Sequence, residues 1–528
     1  MKTLLKHCVA IIPLCLLSLV LQAQELPMKW GEVSKEDLAM TTFRADTNAS
    51  AIILCDFGRS SFSDDMELVY HREQRVKILS TRGYDWGTKS IVVLEEDDAE
   101  RVGDIEGITY TLNKDGEIVK KELDSDDIFK EKLESGLYRY RFTMPGLTPG
   151  CIIDIRYTIY AKSIYNIRDW VFQGSEPVRW SEYRVIMPKN LAYVAVRQGF
   201  ERFAVNEDHE LNQIYSGQAS AYLGSNPVHS REWRWAVKDV PAVRPEPYST
   251  TTDDYVNKVE IQLAGYTFVG MGAIHVLSTW QKVVNELCDS KYFGDRIEET
   301  GDVEDQVELL TKHLTDPKEK MEAIYNWVAN SIVWNESYRR NAEQDVDDVL
   351  ESKKGNEAEI TFLLISMLRS AGITADPVIL STRQNGKVQD FYPIVNQFNS
   401  VITRAVIGTS VYFLDATDPL RPYDLPPTDV LNVKGLVVHQ DRVEWASIEA
   451  RDRSTRTYFT RINLAEDGSI SGSAGASYGN YAALGVRRAL KGKEAIDAVK
   501  EQWKIEPMGI VADSASVEGK DNLTGPQD

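Results

Sequence analysis

Cysteine is scarce in this sequence. The 528 residues include five cysteines, of which Cys8 and Cys15 fall in an apolar segment near the N-terminus. The other three, Cys55, Cys151 and Cys288, are far apart, and no CxxC pair occurs. An odd number of cysteines at such spacings indicates neither a disulfide framework nor a zinc site, so we expect buried small side chains and no metal or other cofactor. One long-range disulfide is the alternative in an oxidising compartment.

Basic residues are also few compared with acidic ones. Lysine and arginine total 60 and aspartate and glutamate total 80, which gives a formal net charge of −20 at pH 7. A surface this acidic repels the phosphate backbone of DNA or RNA, so nucleic acid is excluded from the expected partners.

Long apolar runs are missing as well. The run from Cys8 to Leu21 has 14 residues, fewer than the ~20 that a membrane-spanning helix needs. It follows two lysines and precedes the small residue Ala23, an arrangement typical of a secretory signal peptide. We therefore expect residues 1–23 to be removed, the mature chain to have no transmembrane segment, and the protein to be exported to the periplasm, the cell surface or the extracellular space.

Strand patterns dominate the sequence that follows. In CIIDIRYTIYA (151–161) apolar and polar residues alternate, which indicates a strand with one buried face. ITYTLNKDGEIVKKEL (108–123) has strand-like residues on both sides of an Asp-Gly pair, which is typical of a hairpin. Many short strands of this kind predict an N-terminal all-β domain, an antiparallel sandwich over residues 24–265. The proline-rich segment 239–254 favours an extended connection to the next domain.

Helical patterns begin after this connection. Asp316 and Pro317 suit the N-cap and the first position of a core helix. In ITFLLISMLRSAG (360–372) the apolar residues recur as a single stripe at helical spacing. Gly372 can end this second helix in the left-handed conformation.

Further strands complete the pattern. They are ADPVILSTR (375–383), VQDFYPI (388–394), FNSVITRAVI (398–407) and VYFLDATDP (411–419). Helices followed by an antiparallel sheet predict a central α+β domain over residues 266–445. A hairpin at Asp467-Gly468, a helical segment 480–503 and a last strand after residue 510 predict a C-terminal mainly-β domain, 446–528. The sequence leaves it open whether this domain is complete.

Three short motifs in the central region carry a family resemblance. They are GNE at residues 355–357, FNS at 398–400 and LDAT at 414–417. Their order resembles that of a transglutaminase-like core, the papain-related α+β fold of transglutaminases, bacterial cysteine proteases and peptide N-glycanases. Residues 24 to about 265 resemble the uncharacterised β-rich domain that often precedes such cores in secreted bacterial proteins, with VFQGSEPVRWSEYRVIMP (171–188) as an example.

The resemblance implies a triad in which two of three members are replaced. Glu357 stands where the family has its nucleophilic cysteine, Ser400 where it has histidine, and Asp415 where it has aspartate. A thiol at a helix N-terminus gains thiolate character, the imidazole completes its activation, and the aspartate orients the imidazole. A carboxylate is a poor substitute in acyl transfer, and losing the nucleophile or the base of a serine protease costs roughly 10⁶ in turnover.

We therefore expect a catalytically inactive, cysteine-protease-like module with vestigial triad positions. Such a module would bind an extended peptide or protein in its former cleft, or act as a scaffold in the cell envelope. One alternative is an active protease or amidase of the same superfamily with a non-standard catalytic set. Another is a purely structural envelope component that uses no cleft.

Three other side chains are candidate substitutes for the missing groups. His439 follows the central helix in the chain and belongs to the last strands of the core, which predicts an edge-strand histidine more strongly than a catalytic one. Cys288 precedes the nucleophile position by some 70 residues and favours packing. Glu359 could join Glu357 and Asp415 in a carboxylate cluster for acid/base chemistry or Ca²⁺. A first helical turn is a common place for an acidic residue, so capping is the simpler expectation for Glu359.

Overall fold

The computed structural model describes residues 27–133, 136–165, 167–224, 226–246, 249, 251–276, 279–298, 303–391, 393–504 and 509–519. The predicted signal peptide, residues 1–23, lies outside this range. The described chain divides into two units, one with residues up to Asn190, Ala195–Val243 and Asn257–Gln262, the other with Leu191–Val194, Arg244–Val256 and residues from Leu263 onward. Among the described helices, none has the length and apolar character that crossing a membrane requires.

Strands predominate up to residue 275. They are β1 Ala51–Phe62, β2 Leu68–Ile78, β3 Thr88–Leu94, β4 Glu100–Val102, β5 Glu106–Leu112, β6 Ile118–Glu122, β7 Phe129–Lys132, β8 Leu137–Thr143, β9 Ile152–Ala161, β10 Trp170–Val171, β11 Val178–Pro188, β12 Leu191–Gln198, β13 Val205–Gln213, β14 Val228–Val240, β15 Lys258–Tyr266 and β16 Ile274–His275. Two short helices accompany them, α1 Lys35–Ala39 and α2 Gly217–Leu223.

Helices and strands share the rest of the chain. The helices are α3 Trp280–Cys288, α4 Gly294–Glu298, α5 Glu304–Thr311, α6 Pro317–Ser331, α7 Val346–Ser352, α8 Glu357–Ser370, α9 Tyr481–Leu490 and α10 Ala495–Trp503. The strands are β17 Val333–Trp334, β18 Lys354–Gly355, β19 Thr374–Leu380, β20 Ser400–Ile407, β21 Ser410–Leu414, β22 Val433–His439, β23 Arg442–Ile448, β24 Thr455–Leu464 and β25 Ile470–Gly479.

The largest sheet of the first unit runs in the order β13-β14-β11-β1-β2-β9-β5-β6, with β4 beside β9. The predicted hairpin at Asp115-Gly116 is formed by β5 and β6, which pair from Leu112 and Ile118. The prediction of a purely antiparallel sandwich is wrong for β1 and β11, which are parallel neighbours. Parallel strands need a long connection, and the many strands between β1 and β11 in the chain supply one. The N-terminal region is strongly β-rich, as predicted.

Buried ion pairs cross this sheet. Asp154 on β9 is fully buried and accepts two hydrogen bonds from Arg75 on β2, from Nε and Nη2, each at 2.7 Å. The Tyr110 hydroxyl donates a third at 3.0 Å. Glu182 on β11 is equally buried and accepts from Arg234 Nε at 2.7 Å. Buried charges are tolerated when they are paired and hydrogen-bonded in this way.

The sheet of the second unit has five strands in the order β21-β20-β19-β22-β23, and every neighbouring pair is antiparallel. This agrees with the predicted antiparallel sheet of an α+β domain. The described residues of 388–394 form no strand, so that predicted strand is wrong. Asp316 caps α6 and Pro317 is its first residue, as predicted.

Helix α8 lies at the centre of this unit. All of its residues from Glu357 to Leu368 are buried, so the predicted single apolar stripe is wrong. The polar positions are satisfied internally: the Thr361 hydroxyl donates to Val401 O at 3.1 Å and the Ser366 hydroxyl to Ile297 O at 3.2 Å. A helix buried on every side needs such internal acceptors for its hydroxyl groups. Gly372 follows the helix with φ +79°, as predicted.

The C-terminal region contains the predicted hairpin. β24 and β25 pair on either side of Asp467-Gly468, and α9 and α10 follow. The described residues 509–519 form no strand, contrary to the prediction. The domain boundaries at residues 265 and 445 stay predictions.

Candidate functional site

The site lies at the start of α8, and its first element is the helix cap. Asn356 Oδ1 accepts a hydrogen bond from Glu359 N at 3.0 Å, and Glu359 Oε2 accepts one from Asn356 N at 2.7 Å, which is a capping box. Glu359 Oε1 also accepts from the backbone N–H groups of Glu343 and Gln344, at 3.0 and 2.9 Å. The Glu359 carboxylate is thus committed to backbone donors.

Gly355 is required by this cap. Strand β18 pairs with β17 through Trp334 and Gly355. A Cβ atom on Gly355 would lie 3.1 Å from Glu359 Cβ and 3.2 Å from Glu359 Oε2. The capping carboxylate therefore approaches the backbone closely only because no side chain is present at residue 355.

Glu357 and Ser400, the predicted nucleophile and base positions, are in direct contact. Glu357 is the first residue of α8, Ser400 is the first residue of β20, and their side chains are 1% and 0% exposed. The Ser400 hydroxyl donates to Glu357 Oε1 at 2.8 Å. Glu357 Oε2 is buried and has no hydrogen-bond partner among the described residues. The pair is therefore buried away from solvent.

Its surroundings favour the neutral form of the Glu357 carboxyl group. Burial raises the pKa of Glu357 well above its ordinary value, and the nearby charge of Asp415 raises it further. The hydrogen bonds from Ser400 and from Val401 N–H act in the opposite direction, as does the charge of Arg421, but they do not prevail. Desolvation disfavours a carboxylate more than these donors favour it.

Asp415, the third predicted position, is occupied by other partners. Its carboxylate accepts from Arg421 Nη1 at 2.8 Å and from Thr417 N at 2.8 Å. Its backbone carbonyl accepts from the hydroxyl of the buried Tyr325 at 2.9 Å. Arg421 is itself buried, so its guanidinium balances the charge of Asp415 where an imidazole would be expected. Nothing in the sequence around Arg421 signals this role.

All three predicted positions therefore meet in one buried site. Glu357 and Ser400 touch, and Asp415 is close enough to raise the pKa of Glu357. Glu359 does not join them, because its carboxylate is bound to the capping loop. Among the described residues there is no group of three or more His, Cys, Asp and Glu side chains that could hold a metal ion.

His439 lies at the wrong end of its strand for the site. Ser400 and Gly435 both pair with Leu380, so they are level with each other in the sheet. His439 is four residues further along β22, about 13 Å away at ~3.3 Å per residue. It is not the edge-strand histidine that the sequence favoured, because β22 lies between β19 and β23 in the sheet.

Cys288 is also remote from the site. It ends α3, and the charges that influence its thiol include Arg369, near the C-terminal end of α8. Arg369 is twelve residues from Glu357, about 18 Å along the helix at ~1.5 Å per residue. Burial raises the pKa of the Cys288 thiol, which makes it a weak nucleophile. All three described cysteines are free, so the alternative of a disulfide is not found.

The central region matches a known family. Residues 304–407 match the model of the transglutaminase-like superfamily. The chain contains a transglutaminase-like core. Glu357 and Ser400 lie inside the matched range of this core, and Asp415 follows it on the next strand of the sheet. Residues 64–244 match a second model, the domain of unknown function DUF3857. The predicted resemblance, a transglutaminase-like core behind an uncharacterised β-rich domain, is confirmed.

A solved structure supports the fold of this chain. A "putative protease" from Parabacteroides distasonis is 16% identical, with a TM-score of 0.51, and the match covers 76% of this chain and 72% of that one. A "putative cysteine protease" from Cytophaga hutchinsonii is 10% identical over 78% of this chain and 90% of that one, with a TM-score of 0.21. A comparison with curated proteins gave no match.

Proposed function

We propose that the transglutaminase-like core is a catalytically inactive module that binds an extended peptide or protein segment without cleaving it. We further propose that the chain is exported and acts in the periplasm or at the cell surface. The observation that carries the proposal is the closed contact between Glu357 and Ser400 at the start of α8, where the family has its thiol and imidazole.

Acyl transfer needs a nucleophile that can reach the substrate and a base that can accept its proton. Glu357 is buried, its pKa is raised so that the neutral acid is favoured, and a neutral acid is no nucleophile. The Ser400 hydroxyl donates to Glu357, and a hydroxyl group cannot act as the general base in the place of an imidazole. Asp415 is already paired with Arg421. Loss of nucleophile or base costs roughly 10⁶ in turnover in a serine protease, so we expect no useful hydrolysis.

The likeness to the Parabacteroides structure supports the choice of ligand. That protein carries the description "putative protease", and the substrate of a protease is polypeptide. A core that keeps the helix and the sheet but loses the reactive groups keeps a surface of the same shape. Such a surface can bind a segment of chain although it can no longer cut it.

A cleavage and binding experiment tests the proposal. The purified protein is incubated with a mixed library of fluorescein-labelled hexapeptides; the products are read by mass spectrometry and binding by fluorescence anisotropy. We expect binding of a subset of peptides and no cleavage, with papain as the positive control for hydrolysis. Cleavage that iodoacetamide abolishes would show an active thiol enzyme and overturn the proposal. Failure to bind any peptide would overturn the binding part.

Restoring the missing groups tests the assignment of positions. In the double variant Glu357→Cys/Ser400→His we expect the introduced thiol to ionise at a pH about one unit lower than the thiol of Glu357→Cys alone, because a neighbouring imidazolium stabilises the thiolate. The ultraviolet absorbance of the thiolate measures this without a reagent that would have to enter the buried site. The single variants are the matched controls for folding and for the intrinsic pKa of the thiol. Equal ionisation midpoints in the single and double variants would show that the two positions do not form a nucleophile and base pair.

A further inference from the structure

A cavity of about 510 Å³ lies in the second unit beside Arg421. Three segments wall it: the loop after β17, the loop that follows Asp415, and helix α9. Its volume falls within the ~300 to 1,000 Å³ typical of ligand sites. Residues that line it from these segments include Trp334, Tyr338, Pro427 and Leu484.

Hydrogen bonds hold helix α9 against the loop that follows Asp415. The Tyr481 hydroxyl donates to Pro426 O at 2.7 Å. Arg488 Nη2 donates to Asp418 Oδ2 at 2.6 Å, and Arg488 Nε donates to the same oxygen at 3.1 Å. Two of the three walls, the loop after Asp415 and α9, thus lie outside the range that matches the transglutaminase-like model, and these contacts hold them together.

The walls combine aromatic and apolar side chains with charged ones, and most of these charges are already paired. The rings of Trp334 and Tyr338 meet edge to face at 5.1 Å, and the Tyr338 hydroxyl donates to Asp429 Oδ2 at 3.0 Å. Asp418 is bound by Arg488. Lys491, at the end of α9, is exposed, and its ammonium group forms no ion pair with any other described residue. The cavity therefore offers apolar faces inside and one available cation at its rim.

Gly485 is the feature of α9 that folding does not explain. It lies in the middle of the helix and lines the cavity. A Cβ atom built on it would meet no atom within 4 Å, so packing does not require glycine there. Glycine weakens a helix relative to alanine. Because residue 485 is glycine, the part of the cavity into which a side chain at this position would project stays open.

We propose that this cavity is where the core receives its peptide, through a large apolar side chain inserted among the rings of Trp334 and Tyr338 and a neighbouring carboxylate placed next to Lys491. The inference rests on the proposed peptide-binding function and assigns it a place and a chemistry. Aromatic side chains supply most of the contact area in such pockets, and a single exposed ion pair adds selectivity more than affinity.

The probe is the fluorescein-labelled hexapeptide Ala-Ala-Trp-Glu-Ala-Ala, with one version carrying Ser for Trp and another carrying Gln for Glu. By anisotropy we expect the Ser version to bind at least tenfold more weakly, the order of effect for losing a buried aromatic group. We expect the Gln version to bind about threefold more weakly, the order of effect for one exposed ion pair.

Variants locate the site. Gly485→Trp fills the cavity and should weaken binding of the Trp-Glu peptide at least tenfold, because the two indole groups compete for the same space. Gly485→Ala should leave binding within about twofold. Lys491→Gln should abolish the preference for Glu over Gln. Gly174→Trp is the matched control, since a Cβ on Gly174 also meets no atom within 4 Å and this residue lies in the first unit.

The outcomes separate this inference from the function on which it rests. If library peptides bind but the Trp-Glu peptide does not, or if Gly485→Trp binds it as tightly as the unchanged protein does, the cavity assignment is overturned and the peptide-binding proposal stands. If no library peptide binds, both fall. Circular dichroism and the melting temperature of Gly485→Trp show whether the variant is folded, and the graded pair Gly485→Ala and Lys491→Gln tests the site even if that variant does not fold.

Discussion

The two units each bury a carboxyl group completely, but they treat it differently. In the first unit Asp154 receives two N–H groups from Arg75 and the hydroxyl of Tyr110. In the second unit Glu357 receives the hydroxyl of Ser400, while its other oxygen has no partner among the described residues. Asp154 is thus a structural anion with its own cation. Glu357 is a buried carboxyl group whose hydrogen-bonding capacity the described residues do not fully satisfy. Such a group is more typical of a functional site than of a structural ion pair.

The same contrast holds for protonation. Burial raises the pKa of Asp154, and the hydrogen bonds and charge of Arg75 offset part of that rise. Burial raises the pKa of Glu357 well above its ordinary value, and the charge of Asp415 acts in the same direction. The charge of Arg421 acts in the opposite direction, but Arg421 is bound to Asp415. A cation in direct contact therefore limits how far burial raises the pKa of a carboxyl group.

The largest effect is expected when the paired anion is removed. Asp154→Ala leaves Arg75 charged and without its main partner inside the sheet, so we expect about 4 kcal/mol less stability in urea denaturation. The matched control is Asp208→Ala, which removes an exposed partner of Arg231 at 2.9 Å and should cost under ~1 kcal/mol. Equal losses in the two variants would contradict the view that burial makes the Asp154 pair important.

The next effect comes from removing the cation of the site. Arg421→Met leaves Asp415 and Glu357 together without their guanidinium, and we expect a loss of about 3 kcal/mol. Adding Asp415→Asn in the same chain should recover more than half of that loss, because the uncompensated charge is then gone. If Asp415→Asn instead lowers the stability of the Arg421→Met variant by as much as it lowers the stability of the unchanged protein, the two residues do not act as a pair.

A third effect depends on pH. The folded-state pKa of Glu357 is raised above the unfolded value of about 4.3, so folding takes up a proton between these two values. Stability from this group is full below pH ~4.3 and falls as the pH rises, by at most ~1.4 kcal/mol per pH unit. Glu357→Gln cannot lose a proton, so its stability relative to the unchanged protein should rise with pH. Melting temperatures of both proteins from pH 4 to pH 9 measure this difference, and parallel curves would contradict it.

The smallest effect concerns the helix cap. Asn356→Ala removes the acceptor for Glu359 N, and we expect a loss of about 1 kcal/mol in urea denaturation. Asn356→Ser keeps an acceptor at the cap and should lose less than half as much. A loss above ~3 kcal/mol would mean that Asn356 supports the buried site as well as the helix.

Sequence patterns predicted some features of the fold and the site but not others. The start and end of α8 could be predicted from Gly355, Asn356 and Gly372, because caps and left-handed turns depend on residues next to one another in the chain. The convergence of Glu357, Ser400 and Asp415 in one site followed from the order of three motifs. These are features that local chemistry or a resemblance encodes.

The remaining features depend on tertiary contacts. The Arg421 pairing with Asp415 is a match of charges across a loop, and no spacing rule announces it. The burial of Thr361 and Ser366 depends on acceptors from Val401 and Ile297, which are far away in the chain. The parallel alignment of β1 with β11 is likewise a matter of long-range pairing, so a pattern of alternating residues could not reveal it.

The enclosure of α8 on every side has a consequence for its kinetics in solution. Amide protons in the middle of this helix have no route to water short of large-scale opening, so they should be among the slowest to exchange with deuterium in the second unit. A segment so deeply buried supports the integrity of the domain, whatever its first side chain does. Selection could therefore replace a reactive group at the N-terminus of α8, and the domain would still fold.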